Sequence, residues 1–431
     1  MSKKNRHKAE ILEQGTPSAE EKQSDEVITV VLTSDNHLGY TAFGQHSRKR
    51  EEREQRLRRA FQQATDFAIG QGVDLFIQVG DLFDTPTPDE RDRSFVAERL
   101  AQLKQAGIRT FALGGVHDTP AETSSAPQMS YARLGALHYF PPRTAELEPA
   151  LVHIKGIQVG ICGLGVLADQ EGDPLAHVKV GREIERAQLP LLLLHAPIEG
   201  MAGSSPSLVD TRAEVSRSSI EKLSDFRFIL AGYTHAYRRQ RIGSCEVIVA
   251  GSTQHIDFGN PDEDPGFVFL GLASDGIRWC EHIAVDTLTV RRLVLPVNEL
   301  WPSSGVSTND TASSVTNAIL ERLRPLCAED VMLQVCFEGE MTRSQYHQLD
   351  LNRIRRYGEE ECFALAFDES NLVLLSESDQ ETVATEIGER LSPRSELILL
   401  ADEWIAATND DQEKKALAAT KEELLLAIDD K

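Results

Sequence analysis

The sequence has little positive charge, no closely paired cysteines and no long apolar run. Its 431 residues include 68 acidic and 45 basic side chains, which gives a formal net charge of −23. This balance argues against a uniformly basic surface of the kind that grips nucleic acid. The six cysteines are scattered, without a C-x-x-C pair, which argues against a thiolate zinc site and a disulfide framework. A reducing, cytoplasmic setting fits this cysteine pattern best.

No apolar stretch approaches the roughly 18 residues that a membrane-spanning helix needs. The longest candidate, LPLLLLHAP, is typical of a buried strand. Residues 1–26 are polar and lack the apolar block of a signal peptide, so we expect them to form a disordered tail. The rest of the chain is long enough for two or three domains, each with its own core.

Charge is unevenly distributed along the chain. The stretch Arg48–Arg59 carries seven basic and three acidic residues, whereas residues 376–431 carry fifteen acidic and six basic residues. Because binding to nucleic acid depends on where the positive face lies, the net charge does not exclude DNA. We expect Arg48 and Arg50 to contact phosphate. Alternatively they belong to a solvated helix face that is held by two ion pairs, Glu52–Arg56 and Glu54–Arg58.

Apolar periodicity divides the first part of the chain into alternating elements. The predicted strands cover 27–35, 74–81 and 108–115, and the predicted helices cover about 53–69 and 89–106. This alternation predicts βαβ units and a mostly parallel sheet, whose carboxyl edge carries the functional loops. From residue 151 to 285 the pattern becomes rich in strands. We therefore predict two packed sheets flanked by helices, an α/β/β/α sandwich over residues 27–290.

A second, smaller unit follows a linker rich in Ser, Thr and Pro at Pro302–Ser314. Residues 291–375 are predicted to form a small α+β cap domain, with a helix, a strand, a helix and a strand in that order. Residues 376–431 are predicted to be helical and acidic, with one apolar stripe, Leu397, Leu400, Ala401, Trp404 and Ile405. Such a stripe either packs on its own domain or docks on a partner protein.

Imidazole and carboxylate side chains recur at the ends of the predicted strands. They are Asp35 and His37, Asp81 and Asp84, His117 and Asp118, His195, and His235 with Tyr233 beside it. One histidine after a strand is more often a turn residue than a ligand, but five such ends on one sheet edge predict a metal centre. Mixed imidazole and carboxylate ligands suit manganese, iron or zinc. A carboxylate between two such ions is a common device for hydrolysing phosphate esters, because the ions polarise the phosphoryl oxygens and activate water.

The order D-x-H, G-D-x-x-D, G-x-H-D, a lone His and G-x-x-H resembles the calcineurin-like metallophosphoesterase superfamily. Within it, DNHLGY, GDLFD, HDTP and GSTQHIDFGNPDEDPGF are similar to the SbcD-type nuclease subunits of double-strand-break repair. The later stretch VMLQVCFEGEMTRSQYHQLDLNRIRRY resembles the DNA-recognition cap of that family. The resemblance covers about Val27 to Leu375, and it gives a DNA-contacting role to Arg353, Arg355 and Arg356.

The resemblance implies a role for each matched residue. The first metal site is matched by Asp35, His37, Asp81 and His235, with Asp81 bridging to a second metal that His195 binds. His117 matches the histidine that assists the leaving group, and Asp118 lies beside it. The family hydrolyses DNA phosphodiester bonds, typically with manganese, as an exonuclease and single-strand endonuclease. Its members work beside a coiled-coil ABC-type ATPase, SbcC in bacteria, for which the C-terminal helices are the expected docking segment, and a homodimer is also implied. This chain has no Walker-type phosphate loop, so any ATPase is a separate partner.

Two residues depart from the family pattern, and both concern the second metal. Val116 stands where the family has an asparagine ligand, and Tyr233 stands where it has a histidine ligand. Valine cannot bind a metal, and a phenol with a pKa near about 10 is a reluctant ligand. We therefore expect one complete metal site and a second that is weak or absent. Three functions stay open: a DNA nuclease, a catalytically impaired subunit that binds and scaffolds DNA ends, and a phosphodiesterase for small molecules.

Overall fold

The computed structural model describes residues 27–41, 47–120, 125–142, 146–167, 170–201, 212–256, 258–259, 263–301 and 308–375, with the isolated positions 414, 417, 420 and 421. The two predicted tails, residues 1–26 and 376–431, lie outside the described residues apart from those four positions. The chain divides into two compact units, and the division falls between Leu288 and Thr289. Within the described part of the chain, no helix has the length and apolar character needed to cross a membrane.

The first unit contains most of the strands. In chain order they are β1 (Ile28–Thr33), β2 (Leu75–Val79), β3 (Arg109–Leu113), β4 (His138–Phe140), β5 (Glu146–Leu147), β6 (Ala150–Ile154), β7 (Ile157–Gly165), β8 (Glu171–Gly172), β9 (Lys179–Val180), β10 (Leu189–His195), β11 (Arg212–Ala213), β12 (Phe228–Gly232), β13 (Arg238–Ile242), β14 (Cys245–Val249), β15 (Gly266–Ala273) and β16 (Gly276–Ala284). Its α-helices are α1 (Ser47–Gln71), α2 (Glu90–Gln105), α3 (Gln128–Arg133) and α4 (Arg217–Lys222).

Two six-stranded sheets form the framework of this unit. The first has the order β16-β15-β1-β2-β3-β4. Strands β1 to β4 are parallel to one another, whereas β15 is antiparallel to both of its neighbours, β1 and β16. The second has the order β13-β14-β12-β10-β7-β6, with the four inner strands parallel and both edge strands antiparallel. One apolar core lies between the sheets, and one covers the outer face of each. The predicted α/β/β/α sandwich is therefore confirmed.

The alternation of side chains along each strand explains these layers. In β1, Ile28, Val30 and Leu32 enter the core between the sheets, whereas Val31 belongs to the core shared with α1 and α2. Successive side chains of a strand point to opposite faces, so a strand that is buried on both faces is apolar throughout. The helix α1 supplies one apolar stripe to the outer core, Leu57, Phe61, Ala64 and Ala68. The polar face of α1 bears the two predicted ion pairs, at 2.9 Å for Glu52–Arg56 and 3.2 Å for Glu54–Arg58, which confirms them.

The second unit is a three-stranded parallel sheet with helices. Its elements are β17 (Thr289–Pro296), α5 (Thr308–Leu323), β18 (Val331–Thr342), α6 (Arg343–Gln348), α7 (Leu351–Glu361) and β19 (Ala364–Leu375), and the sheet order is β17-β18-β19. An apolar core beneath the helices contains Ile319, Leu333, Phe337 and Ile354.

Two predicted boundaries were wrong, and both errors concern helix starts. The helix α1 begins at Ser47, before the predicted start at Arg53, because the charged stretch in front of its apolar stripe is also helical. The helix α5 begins at Thr308, so half of the predicted linker Pro302–Ser314 is helical. Thr, Asn, Asp and Ser favour both loops and helix starts, and their clustering alone cannot separate the two. By contrast α2 fills the predicted range, with Asp89 as its N-cap.

Candidate metal centre

The predicted metal ligands lie together at the carboxyl ends of parallel strands. Asp35 and His37 follow β1, Asp81 follows β2, His195 ends β10 and His235 follows β12. Among the described residues, three triads place their ligand atoms within 4.8 Å of one another: Asp35–His37–His235, Asp35–Asp81–His195 and His37–Asp81–His117. The structure thus brings together all five predicted ligands and His117.

Backbone geometry at this edge departs from the ordinary regions. Five non-glycine residues of the described chain have positive φ, and four of them are in these loops: Asp35 at 48°, His37 at 45°, Asp81 at 51° and Tyr233 at 87°. Such conformations persist where the surrounding structure enforces them, and they cluster at functional sites. Two glycines permit the close approach of the loops. A Cβ on Gly80 would lie 2.0 Å from His195 Nδ1, and one on Gly115 would lie 2.2 Å from Asp81 Oδ1.

His37 has the arrangement of a metal ligand. Its ring is fully buried, and Nδ1 donates to Asp84 Oδ1 at 3.0 Å. That bond places the ring proton on Nδ1 and leaves a lone pair on Nε2. Nε2 has no hydrogen-bond partner among the described residues and lies 4.0 Å from Asp81 Oδ2. A carboxylate behind a histidine ring is the usual support of a ligand, so this pair of contacts fits a cation next to Nε2.

Asp81 and His195 form a second pair of ligand type. His195 Nδ1 donates to the carbonyl of Val79 at 2.9 Å, and its Nε2 lies 3.1 Å from Asp81 Oδ2. Burial opposes charge on both groups, but their mutual attraction outweighs it. The pKa of His195 is raised to about 9, and the pKa of Asp81 is held below its ordinary range by His195, His37 and His117. These shifts favour an ion pair between the two side chains, and a divalent cation held by both would take the place of the proton on Nε2.

The remaining ligand candidates are anchored by neighbouring loops. Asp35 is fully buried, accepts from Ser34 Oγ, and accepts from the backbone N–H of Tyr233 at 3.2 and 3.1 Å. The His235 ring lies 5.3 Å from the His37 ring, nearly perpendicular to it. The donor set of two carboxylates and imidazoles thus suits a transition-metal cation.

His117 lies at the rim of this group. Its ring centroid is 4.7 Å from that of His37, and its Nδ1 is 3.8 Å from Asp84 Oδ1. Its backbone N–H donates to Asp81 Oδ1 at 2.8 Å. Burial lowers the pKa of His117, and His37 acts in the same direction, although Asp81 and Asp84 oppose the shift. The ring is therefore a relatively strong acid when it is protonated.

Asp118, predicted beside His117 in the catalytic group, is occupied by hydrogen bonds. Its Oδ1 accepts from the N–H of Gly115 at 2.9 Å, and its Oδ2 accepts from the N–H of Leu82 at 2.8 Å and from the Gln128 side chain. It belongs to none of the three ligand triads. Burial, together with the charge of Asp81, raises the pKa of Asp118 to about 6. Its contacts are those of a residue that holds two loops together.

Val116 and Tyr233, the two departures from the family pattern, are partly buried. Both side chains pack against the apolar core on the outer face of the second sheet. The Tyr233 ring meets the His195 ring edge to face, with 5.6 Å between centroids. Valine and tyrosine at these two positions add no carboxylate or imidazole to the donor set.

The arginines predicted to contact DNA are all exposed. Arg48 and Arg50 lie in the first turn of α1, and the other three, Arg353, Arg355 and Arg356, lie on α7 of the second unit. The Arg355 guanidinium also lies 5.6 Å from the centre of the Phe367 ring. Contact with DNA stays a prediction for all five.

Two residues that support the site had no role assigned from sequence. Asp84 is the second aspartate of the G-D-x-x-D motif, and its place after a strand was the one sequence feature from which its contact with His37 could have been predicted. Gln128 begins a short helix ten residues beyond Asp118, and no pattern in the sequence connects the two.

Residues 28–237 match the Calcineurin-like phosphoesterase family. This segment is thus similar to calcineurin-like phosphoesterases, which confirms the resemblance drawn from the motif order.

The chain is also similar to archaeal proteins named DNA double-strand break repair protein Mre11. It is 28% identical over 223 residues to that of Thermoplasma acidophilum, which covers 51% of this chain and 55% of the relative. It is 34% identical over 255 residues to that of Methanosarcina mazei, covering 59% and 38%. With that of Halobacterium salinarum it shares 23% identity over 314 residues, covering 72% and 70%. The chain spans about half the length of the Thermoplasma relative and less of the Methanosarcina one.

Proposed function

We propose that the chain is a metal-dependent hydrolase of DNA phosphodiester bonds, an exonuclease and endonuclease subunit that acts in double-strand-break repair. The observation that carries this proposal is the buried Nε2 of His37, which lacks a hydrogen-bond partner among the described residues and lies 4.0 Å from the Asp81 carboxylate. A cation between these atoms would satisfy both. The similarity to archaeal repair proteins favours DNA as the substrate.

The proposed metal is manganese, with one tightly held ion per chain. Asp35, His37, Asp81 and His235 would hold it. When bound, a divalent ion supplies Lewis acidity toward a phosphoryl oxygen and lowers the pKa of water at the site. A second ion would find Asp81 and His195, with Asp35 in the same triad, whereas Val116 offers no ligand atom and Tyr233 only a phenol. We therefore propose that the second position is weak or empty.

His117 is the proposed general acid. Protonation of the departing oxygen needs a donor at the rim of the metal centre, and the ring of His117 lies there. Its lowered pKa strengthens it as an acid, and Asp84, 3.8 Å away, stabilises the protonated form. The bond from its N–H to Asp81 fixes the distance of the ring from the ligands. For Asp118 we propose a supporting role through its loop contacts.

The proposed partners are DNA, an SbcC-type ATPase and a second copy of the chain. Arg48 and Arg50 are proposed to contact DNA phosphates, as are the arginines of α7. Residues 376–431, which the sequence predicts to be helical, are the proposed ATPase-binding segment. We also propose a cytoplasmic location, which the scattered cysteines favour. The homodimer is proposed from the family resemblance, with Leu134, which is 77% exposed, as one contact to test.

A second candidate function is a subunit that binds and scaffolds DNA ends without cutting them. The residues Val116 and Tyr233 favour it, because a dinuclear mechanism needs a second metal and neither residue type readily binds one.

Metal content and nuclease activity, measured on the same preparation, separate these candidates. We expect one tightly bound ion per chain by plasma mass spectrometry, and degradation of linear duplex DNA with manganese above that with magnesium or zinc. The double variant Val116→Asn/Tyr233→His supplies an amide oxygen and an imidazole, so we expect it to bind a second ion. If the wild type leaves the duplex intact while the double variant degrades it, nuclease activity is refuted and end binding is retained. His37→Ala is the matched control and should bind no ion tightly.

A further inference from the structure

The short helix α3 contributes one buried side chain that contacts Asp118, in the loop that follows β3. Gln128 is its first residue, and its relative exposure is 0%. The amide Nε2 donates to Asp118 Oδ2, whereas Oε1 has no hydrogen-bond partner among the described residues. A buried amide with one unsatisfied oxygen is costly. An apolar side chain could fill this buried position without that cost. The hydrogen bond from Gln128 to Asp118 therefore suggests a role for the amide beyond packing.

Asp118 collects donors from two loops of the centre. Leu82 and Phe83 donate N–H groups to Oδ2 at 2.8 and 3.4 Å, and both follow Asp81 in the chain. Gly115 donates to Oδ1 at 2.9 Å. The three donors from these loops are backbone N–H groups. Among the described residues, the side chain of Gln128 is the one hydrogen-bond donor to Asp118 from outside the loops.

The position of Asp118 controls how closely the loops meet. Gly115 lies so near Asp81 that a Cβ there would be 2.2 Å from Oδ1. Two residues later, the N–H of His117 donates to the same oxygen at 2.8 Å. A movement of the Asp118 carboxylate would therefore shift His117 relative to Asp81, because the backbone between them is short.

We propose that Gln128 is a positioning residue for the hydrolysis, and that it acts through Asp118. Its amide fixes the Asp118 carboxylate in the orientation that holds the Leu82 and Gly115 loops together, and so keeps His117 at its distance from Asp81. This inference rests on the proposed metal-dependent hydrolysis.

The test uses the full-length chain with manganese and linear duplex DNA. Gln128→Met keeps the length of the side chain and removes the donor. We expect kcat to fall about 10- to 100-fold, the effect of losing a hydrogen bond to a buried charge. We expect KM for the duplex to change less than about threefold, because Gln128 does not reach bound DNA. The electron paramagnetic resonance spectrum of bound Mn²⁺ should change, since the Asp81 loop relaxes.

Ser130→Ala is the matched control on the same helix. Ser130 Oγ donates to the carbonyl of Pro127 and makes no contact with Asp118. This variant weakens the start of α3, and we expect wild-type kcat and an unchanged spectrum. An equal loss of kcat in Ser130→Ala would assign the effect to helix stability and overturn the proposal.

A double-variant cycle with Asp118→Ala asks whether the two residues act together. If Gln128 works through Asp118, Gln128→Met in the Asp118→Ala background should change kcat by less than about twofold. Multiplication of the two single effects would overturn the proposal, as would wild-type kcat in Gln128→Met. Where Gln128→Met fails to fold, Gln128→Glu replaces it, and misfolding of both overturns the proposal in favour of a purely structural residue. Wild-type protein that neither binds Mn²⁺ nor cuts DNA shows instead that the proposed function is wrong.

Discussion

Replacement of Asp84 tests whether His37 is a metal ligand. Asp84 Oδ1 accepts from His37 Nδ1 at 3.0 Å and lies 3.8 Å from His117 Nδ1. Asp84→Ala removes the acceptor, whereas Asp84→Asn keeps an oxygen and removes the charge. Both changes leave the ligand atoms themselves intact, so any loss of metal binding reports on the orientation and basicity of the imidazole.

The structure sets the expected size of the effect. Loss of the group behind a metal-ligating histidine costs about 10- to 100-fold in metal affinity. The His37 side chain is 0% exposed and the Asp84 side chain 20%, so water reaches the position of the lost carboxylate only in part. We expect about 100-fold weaker Mn²⁺ binding in Asp84→Ala, or about 2.7 kcal/mol, and about tenfold in Asp84→Asn, or about 1.4 kcal/mol.

Calorimetric titration of the metal-free chain with Mn²⁺ measures both variants. Thr85→Ala is the control, because Thr85 is the next residue and its side chain only accepts from the N–H of Thr87 at 3.1 Å. It should bind Mn²⁺ as the wild type does. Wild-type affinity in Asp84→Ala would refute the assignment of His37 Nε2 as a ligand. At saturating Mn²⁺ we also expect Asp84→Ala to keep a lower kcat, because Asp84 supports His117 as well.

Three further predictions concern pH, packing and assembly. Burial opposes protonation of His195, but Asp81 outweighs this effect and raises the pKa of His195 to about 9. The ion pair therefore stabilises the metal-free fold fully below about pH 6.5, the ordinary pKa of histidine, and this stabilisation is lost as pH rises through about 9. His195→Gln should therefore lower the free energy of unfolding by about 3 kcal/mol at pH 6 and by much less at pH 10 in urea titrations, and an equal loss at both pH values would contradict the ion pair. Gly115→Ala places a Cβ 2.2 Å from Asp81 Oδ1, so it should abolish Mn²⁺ binding in calorimetry, whereas Gly70→Ala, with nothing within 4 Å of the added Cβ, should not. Leu134→Glu should convert a homodimer to monomers in sedimentation velocity, and a monomeric wild type would remove the basis of this prediction.

The sequence by itself was sufficient for the architecture of the first unit. Continuous apolar runs such as LPLLLLHAP predict strands that are buried on both faces, and four of these runs, now β1, β2, β10 and β12, end at or just before a residue of the metal centre. Because parallel strands present their carboxyl ends at one edge, placing Asp35 and Asp81 together needed only the strand assignments, whereas bringing His195 to them required the packing of the second sheet on the first. Helix starts were less predictable, as α5 shows, since polar N-terminal residues are shared with loops.

Only the tertiary structure decided how the site is supported. The roles of Asp84 and Gln128 depend on distances between loops that are far apart in sequence, and no local periodicity encodes them. The same holds for Val116 and Tyr233. Their residue types exclude or disfavour metal binding, but their packing on the apolar core of the second sheet was not evident from the sequence. The sequence determines which imidazole and carboxylate side chains lie at the ends of the strands. The packing of the two sheets determines which of these side chains come close enough to share a cation.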